Sequence, residues 1–274
     1  MPDIATLLPL IALLAVAGAF AGLLAGMLGV GGGIVHVPAF FYVFERLGYD
    51  GSWLMQVCLA TSLAAIIITS LRSVAAHHKR GAVDWTILRG WAPGIALGAL
   101  VGVAVASALR SETLQMLFGG IAVLVGLYLA FGREHWRLGA AMPTGLRRAT
   151  LSPAVGFLSV LMGIGGGSFG VPLMTLFAVP IHRAVATAAG FGVLIAVPSV
   201  AAFLLVDTGG ASVPPGTVGA VNLPAFAVSV TMTLVTAPLG ARLAHAMAPL
   251  VLRRAFAVFI LIVALNMLRK VFLE

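Results

Sequence analysis

The 274-residue chain has little charge, because Asp, Glu, Lys and Arg together make up 9% of it. Soluble domains carry about 25% charged residues, so this composition excludes a globular protein with a solvated surface. A single cysteine, Cys58, excludes an intramolecular disulfide and a cysteine-based metal motif. Apolar residues are abundant instead, at 61% of the chain with a mean hydropathy of +1.13. Because the apolar runs do not alternate with polar residues, they indicate an all-α integral membrane protein rather than a β-barrel.

The net charge of +8 does not indicate a nucleic-acid partner. The basic residues lie in short clusters between apolar runs, where the positive-inside rule predicts them. The N-terminal stretch MPDIATLLPLIALL has no positively charged start, so we expect it to be part of the first helix rather than a cleaved signal peptide. The lipid bilayer is therefore the expected surrounding of the chain.

An internal repeat divides the sequence. The stretch GLLAGMLGVGGGIVHVP at 22–38 returns 134 positions later, at 156–172, as GFLSVLMGIGGGSFGVP. Two further matches follow in the same order, at 60–76 with 186–202 and at 81–84 with 219–222. Three ordered matches predict two homologous halves, 1–138 and 139–274.

Each half begins with an apolar stretch interrupted by its glycine run. As one helix the first stretch, about 4–44, would be near 60 Å long, twice the thickness of the hydrocarbon core. We therefore expect a hairpin of helix, glycine loop and shorter helix. Three ordinary spans follow in each half, at 53–76, 86–109 and 113–132 and at 184–206, 220–243 and 252–271.

A hairpin followed by three spans makes an odd number of crossings, so the second half is expected to be inverted relative to the first. With the loop at 77–80 inside, only four of the 16 Lys and Arg residues fall outside, namely Arg46, Arg110, Arg269 and Lys270. The charge bias thus predicts that both termini lie outside the membrane.

The two glycine runs are the predicted substrate site. Irregular backbone at membrane depth is tolerated only where protein or a water-filled cavity surrounds it, and transporters with inverted repeats bind substrate at such broken helices. Bare N–H groups at the following helix starts suit a small anion. The alternative is close helix packing, which is the expected role of the scattered Gly18, Gly22, Gly26, Gly98 and Gly102. The predicted binding glycines are Gly31, Gly32, Gly33, Gly165, Gly166 and Gly167.

The paired Gly-x-Gly-Gly-Gly-x-x-x-x-Pro motifs, the Ala-Thr-Ser start of the next span and the His-x-x-x-Gly-x-Val-Asp-Trp loop resemble the TauE/SafE family. These are bacterial permeases for sulfite and organosulfonates, and the resemblance covers nearly the whole chain. It implies secondary transport of sulfur-containing anions across the cytoplasmic (inner) membrane. His36 departs from the repeat, because Gly170 stands in the equivalent place of the second half.

Several polar residues near the motifs are candidates for function. Thr61, Ser62 and Thr187 carry hydroxyls that either bind an oxyanion or bond back to their own helix. Arg72, in an apolar segment, either binds the anion or extends its side chain to the interface. His36 is the candidate for carrying a coupling proton, with a structural hydrogen bond as the alternative.

The predicted function is a secondary transporter of small sulfur-containing anions that works by alternating access, and a passive anion channel is the alternative. Gly166–Gly170 formally fits the Gly-x-Ser-x-Gly nucleophile motif but lacks its strand-to-helix context, so we do not expect an enzyme. No cofactor and no metal site is predicted. The expected partners are the anion, a coupling proton or cation and the lipid bilayer.

Overall fold

The computed structural model describes residues 4–28, 32–131, 137–246 and 249–273. This part of the chain is almost entirely helical. Its elements are α1 Ile4–Leu28, α2 Gly33–Arg46, α3 Leu54–Lys79, α4 Trp85–Ala108, α5 Ser111–Phe131, α6 Gly145–Leu161, α7 Gly167–Leu176, α8 Ile181–Leu204, β1 Thr217–Val218, β2 Val221–Asn222, α9 Leu223–Ala246 and α10 Pro249–Leu273.

The helices lie where the apolar runs predict them. A helix covers each of the six expected spans to within a few residues, and the opening stretch divides into α1 and α2 as expected. Within the described residues, five helices are long and apolar enough to cross a bilayer: α3, α4, α5, α8 and Leu223–Gly240 of α9. The prediction of an all-α membrane protein is confirmed at this level.

Two helices begin at matching places in the two halves and are capped in the same way. The Asp84 carboxylate accepts hydrogen bonds from the N–H groups of Thr86 and Ile87 at the start of α4, both at 3.1 Å. The Asn222 side-chain oxygen accepts from the N–H of Ala225 at the start of α9, at 3.0 Å. These side chains satisfy N–H groups that a helix start leaves without intrahelical partners.

Helices α3 and α8 form the centre of the bundle. Of the apolar window of α3, 78% is buried, and of that of α8, 61%, against 39% for α4 and α5. Large apolar side chains on the outer helices are exposed, among them Leu124, Val235 and Ile262. An apolar exterior around a buried central pair is the arrangement expected in lipid.

Equivalent helices of the two sequence repeats make equivalent helix–helix contacts. The strongest contacts join α1 to α9, α4 to α6, α5 to α10 and α3 to α8, and α2 and α7 pack on α3 and α8 respectively. If each helix of the first half is exchanged for its counterpart in the second, this set of pairs is unchanged. Glycines allow the close approaches that the sequence predicts, because a Cβ at Gly22 would meet the Thr233 backbone and one at Gly98 the Pro153 backbone.

The short hairpin of β1 and β2 was not predicted. Thr217 pairs with Asn222 and Val218 with Val221 in antiparallel register. A Cβ at Gly219, in the turn, would collide with the Phe203 carbonyl at the end of α8. The hairpin therefore depends on its contact with α8, which is why a local pattern did not reveal it.

Candidate functional site

The chain breaks its helix at each glycine run. Between α6 and α7, Gly163 adopts the left-handed conformation with φ +58°. Its N–H donates to the Val160 carbonyl at 2.9 Å, and the N–H of Ile164 donates to the Ser159 carbonyl at 2.9 Å. This pair of bonds is the Schellman motif, which ends a helix at a left-handed glycine.

The break between α1 and α2 has a different backbone. Gly32 precedes α2 with φ +73°, a conformation that side chains other than glycine rarely adopt, whereas Gly166 precedes α7 with φ −62°. The two sites are therefore related by sequence but not identical in geometry. The predicted binding residue Gly31 lies outside the described residues.

The two breaks lie in contact with each other. A Cβ on Gly33 would be 2.6 Å from the Gly163 carbonyl oxygen and 2.8 Å from the Ile164 Cα. A Cβ on Gly163 would in turn be 2.7 Å from the Val37 side chain of α2. This agrees with the prediction that the glycine runs of the two halves converge.

The second break presents a run of backbone N–H groups without acceptors. Gly165, Gly166, Gly167 and Ser168 are buried and Phe169 is half-buried. Among the residues that the structure describes, no carbonyl or side chain accepts from the N–H of any of these five. The first acceptor in use is the Gly166 carbonyl, which takes the N–H of Gly170 at 2.7 Å. Buried N–H groups are nearly always paired, so this run needs acceptors that the described residues do not supply.

A serine hydroxyl adds to this run. Ser168, in the first turn of α7, is 6% exposed, and its Oγ has no hydrogen-bond partner among the described residues. The residue before the helix, Gly166, supplies no side-chain cap. The starts of α4 and α9 are capped by Asp84 and Asn222, whereas no described side chain caps the start of α7.

The Ser62 hydroxyl is not free, because it makes a hydrogen bond that holds the second break in place. Its Oγ donates to the Gly163 carbonyl at 2.7 Å. Gly166 is also needed for packing, because a Cβ there would be 2.6 Å from the Ala188 carbonyl oxygen and would collide with Phe191. The space beside Gly33 and Gly166 is thus filled by protein, so these two glycines serve close packing whether or not their N–H groups bind an anion.

Thr61 and Thr187 form one matched pair of contacts between the halves. The Thr187 Oγ1 accepts the backbone N–H of Asp84 at 2.9 Å, and the Thr61 Oγ1 accepts the backbone N–H of Asn222 at 2.9 Å. Both threonines are fully buried. Each contact joins the second turn of a central helix to the residue that begins α4 or α9 in the other half. We call these two contacts the threonine latches.

The latch on Asp84 carries a charge that its counterpart lacks. A carboxylate oxygen of Asp84 lies 3.4 Å from the Arg183 guanidinium. The side-chain amide of Asn222 donates instead to the Pro215 carbonyl and the Thr217 hydroxyl, both at 3.0 Å. The two latches therefore share the same backbone bond but differ in their side-chain support.

His36 is fully buried in the second turn of α2. Its Nε2 lies 3.4 Å from the Thr233 hydroxyl of α9, which itself donates to the Gly18 carbonyl at 3.0 Å. Because that hydroxyl has one hydrogen, this network assigns the donor role to Nε2 and leaves Nδ1 as an acceptor. Nδ1 has no partner among the described residues.

Arg72 does not lie with the buried residues. Its side chain is exposed, whereas Ser70 of the same helix packs against Gly192 of α8. Two residues correspond to a rotation of about 200° around a helix, so Arg72 points away from that contact. The exposure fits the alternative in which this side chain extends to the membrane surface.

Charged side chains are missing from the buried part of the site. The buried polar residues in the described ranges are hydroxyl and amide residues and one histidine: His36, Gln56, Thr61, Ser62, Ser70, Gln115, Ser152, Ser159, Ser168, Thr187, Ser199, Asn222, Ser229 and Thr233. The same ranges contain no group of His, Cys, Asp or Glu side chains that could hold a metal ion. Hydrogen-bond donors are thus what the site offers.

The sequence pattern missed two features. Ser168 was considered only as a nucleophile, although a hydroxyl immediately after a glycine run is also the simplest anion ligand. The latch partners Asp84 and Asn222 were visible as the third repeat match, at 81–84 and 219–222, but a sequence match does not show which residue accepts their N–H groups.

Over most of its length the chain is similar to proteins named as probable membrane transporters. The model of the family described as "Sulfite exporter TauE/SafE" matches residues 14–267. A "probable membrane transporter protein" of Haemophilus influenzae is 31% identical over 253 residues, which is 92% of this chain and 96% of that protein. Proteins named in the same way from Methanocaldococcus jannaschii and Bacillus subtilis are 26% and 32% identical, over 89% and 64% of this chain and 90% and 71% of theirs. No solved structure matches the chain.

Proposed function

Since the chain belongs to the TauE/SafE family of membrane transporters, we propose that it is a secondary transporter of small sulfur oxyanions, sulfite or organosulfonates. It carries them across the bacterial inner membrane by alternating access of two inverted halves, 1–138 and 139–274. Both termini lie on the outer side. An ion gradient or the membrane potential supplies the energy, and the transported anion is not altered chemically.

The observation that carries this proposal is the run of N–H groups from Gly165 to Phe169, for which the described part of the chain supplies no acceptor. An oxyanion accepts several hydrogen bonds at once and is stabilised by the positive end of a helix. The Ser168 hydroxyl lies in the same turn and adds a further donor. From the first half, Gly33 packs against Gly163 and Ile164, directly before this run.

The other predicted residues have supporting roles in this account. Ser62 fixes the loop through the Gly163 carbonyl. Thr61 and Thr187 act on the conformational change rather than on the anion, since each accepts an N–H from the other half. Arg72, exposed near the predicted inner end of α3, attracts anions towards the entrance by its charge.

The threonine latches support alternating access. Each joins a central helix to the beginning of α4 or α9, and with the predicted orientation one lies towards the inside and the other towards the outside. Both are closed in this structure. Opening the site to one side then requires one latch to break while the other remains, which is how a carrier avoids forming a continuous pore.

Flux through proteoliposomes tests the function. Purified protein is first screened by ligand-dependent thermal stability with sulfite, thiosulfate, sulfoacetate, taurine and aromatic sulfonates. The anion giving the largest shift is then labelled for uptake. The proposal predicts saturable uptake that accelerates when the same anion is preloaded inside the vesicles. Rapid current proportional to voltage without counterflow would instead indicate the channel alternative, and no flux of any sulfur anion would refute the proposal.

A further inference from the structure

Among the side chains that the structure describes, the start of α7 has neutral hydrogen-bond donors and no buried cation. Every Lys and Arg side chain with a described burial is exposed or half-buried. Arg242 and Arg253, whose side chains lie outside the description, belong to the last turn of α9 and the first two turns of α10. The buried donors beside the second break are the N–H groups of Gly165–Phe169 and the Ser168 hydroxyl.

A site of this kind discriminates by charge. The cost of moving an ion out of water grows with the square of its charge. The attraction between an ion and fixed neutral dipoles grows only in proportion to the charge. A second negative charge therefore quadruples the cost of removing the ion from water but only doubles its attraction to the fixed dipoles. Neutral donors consequently bind a monoanion better than a dianion of similar size.

We propose that the start of α7 is a binding site for singly charged sulfur oxyanions, sulfonates and hydrogensulfite, that discriminates against dianions, with Ser168 as the side chain that contacts the bound head group. This rests on the transport function proposed above and specifies which form of the substrate is carried. The first half does not duplicate the contact, because Ile34 stands where the second half has Ser168.

Binding measurements on the purified full-length protein test the charge selection. Methanesulfonate and 2-hydroxyethanesulfonate are compared with sulfate and thiosulfate at constant ionic strength and near-neutral pH. The monoanions are expected to bind at least about tenfold more tightly. Sulfate or thiosulfate binding as tightly as methanesulfonate would overturn the inference while leaving anion transport in place. Binding of none of the four would overturn the proposed function as well.

The pH dependence of uptake provides a second test, because sulfite changes from monoanion to dianion near neutral pH and a sulfonate does not. Sulfite uptake is expected to fall relative to methanesulfonate uptake as the pH rises from about 6 to about 8. The histidine and cysteine side chains on α2, α3 and α8 are His36 on α2, Cys58, His77 and His78 on α3, and His182 on α8. They act on both substrates, so an equal change for both would assign the profile to the protein and contradict the inference.

The contribution of Ser168 is tested with a matched serine. Ser168→Ala is expected to weaken methanesulfonate binding about tenfold, the effect of losing one hydrogen bond to a charged acceptor. Its Oγ has no protein partner in the described ranges, so the thermal stability of the anion-free protein stays unchanged. The control is Ser199→Ala, also buried, whose Oγ donates to the Ile195 carbonyl of its own helix at 2.7 Å. Equal binding by wild type and Ser168→Ala would remove this residue from the site.

Discussion

Replacing Thr187 by valine removes a hydroxyl that accepts the Asp84 N–H at 2.9 Å and keeps the shape of the side chain. In states where that latch is closed, this half-buried N–H is left without a protein partner, which costs about 1 kcal/mol. States open on that side lose nothing. We therefore expect Thr187→Val to shift the equilibrium towards the inward-open state by about fivefold. Thr61→Val is the matched change on the other side and is expected to favour the outward-open state.

Cysteine accessibility measures this shift. The single native cysteine, Cys58, is buried and is replaced by alanine to give a cysteine-free background. Ala186 and Ala60 precede the two threonines and are both fully buried, so each becomes a reporter when replaced by cysteine. A maleimide that does not cross membranes is applied to right-side-out and to inverted vesicles.

The expected result is specific to one side. Thr187→Val raises labelling at position 186 from the inside and leaves position 60 unchanged or less reactive, and Thr61→Val does the reverse. Arg183→Gln serves as a control, because the guanidinium is 53% exposed and such a pair contributes about 0.2–1 kcal/mol. It should change labelling less than Thr187→Val. Equal labelling changes at both reporters, or none, would refute the assignment of the latches to opposite sides.

Three further changes follow from the same contacts. Gly33→Ala places a Cβ 2.6 Å from the Gly163 carbonyl oxygen and should lower the free energy of unfolding by about 1–3 kcal/mol. Gly120→Ala is the control, because its Cβ would meet open space and should leave the stability unchanged. Thermal unfolding in detergent compares the two variants, and equal stability would contradict the contact. Arg72→Ala should leave uptake within about twofold at physiological salt, because an exposed charge is screened; loss of anion binding would show that this side chain reaches the substrate. His36→Gln tests His36 as the coupling group, because it keeps a donor towards Thr233 and removes the titratable ring. Uptake in this variant should stop responding to an imposed pH gradient. An unchanged response would exclude His36 as the coupling group.

The fold was largely predictable because the length and hydropathy of a segment identify a membrane-spanning helix. The segment at 53–76 was expected as a span, and α3 covers Leu54–Lys79. The breaks between α1 and α2 and between α6 and α7 were also predictable, since one helix over the whole stretch would exceed the bilayer. The end of α3 was not predictable, because the helix continues through polar residues beyond the apolar run.

The contact between the two glycine breaks was predictable from the repeat, but the hydrogen bonds around them were not. The repeat indicated that the glycine runs converge, and Gly33 indeed contacts the Gly163 carbonyl. Thr61 and Thr187 were considered as anion ligands because they follow the glycine runs in sequence, yet their hydroxyls accept N–H groups from helices far along the chain. Such a pairing depends on which helices are neighbours, which no local pattern encodes.

Arg72 is a second residue whose surroundings a local sequence pattern does not show. Its apolar flanks suggest depth in the membrane, but its exposure depends on which face of α3 meets α8. An interior position and an outward one differ by half a turn of helix, and hydropathy averaged over a window does not distinguish them.

A structure with a bound bromine-labelled sulfonate would test the central claim most directly. The anomalous signal of 2-bromoethanesulfonate locates the molecule without assumptions about the site. The account predicts a head group within hydrogen-bond distance of the N–H groups from Gly165 to Phe169 and of the Ser168 hydroxyl. A sulfonate bound elsewhere, for example on the exposed Arg72, with this run of N–H groups facing only protein, would contradict it.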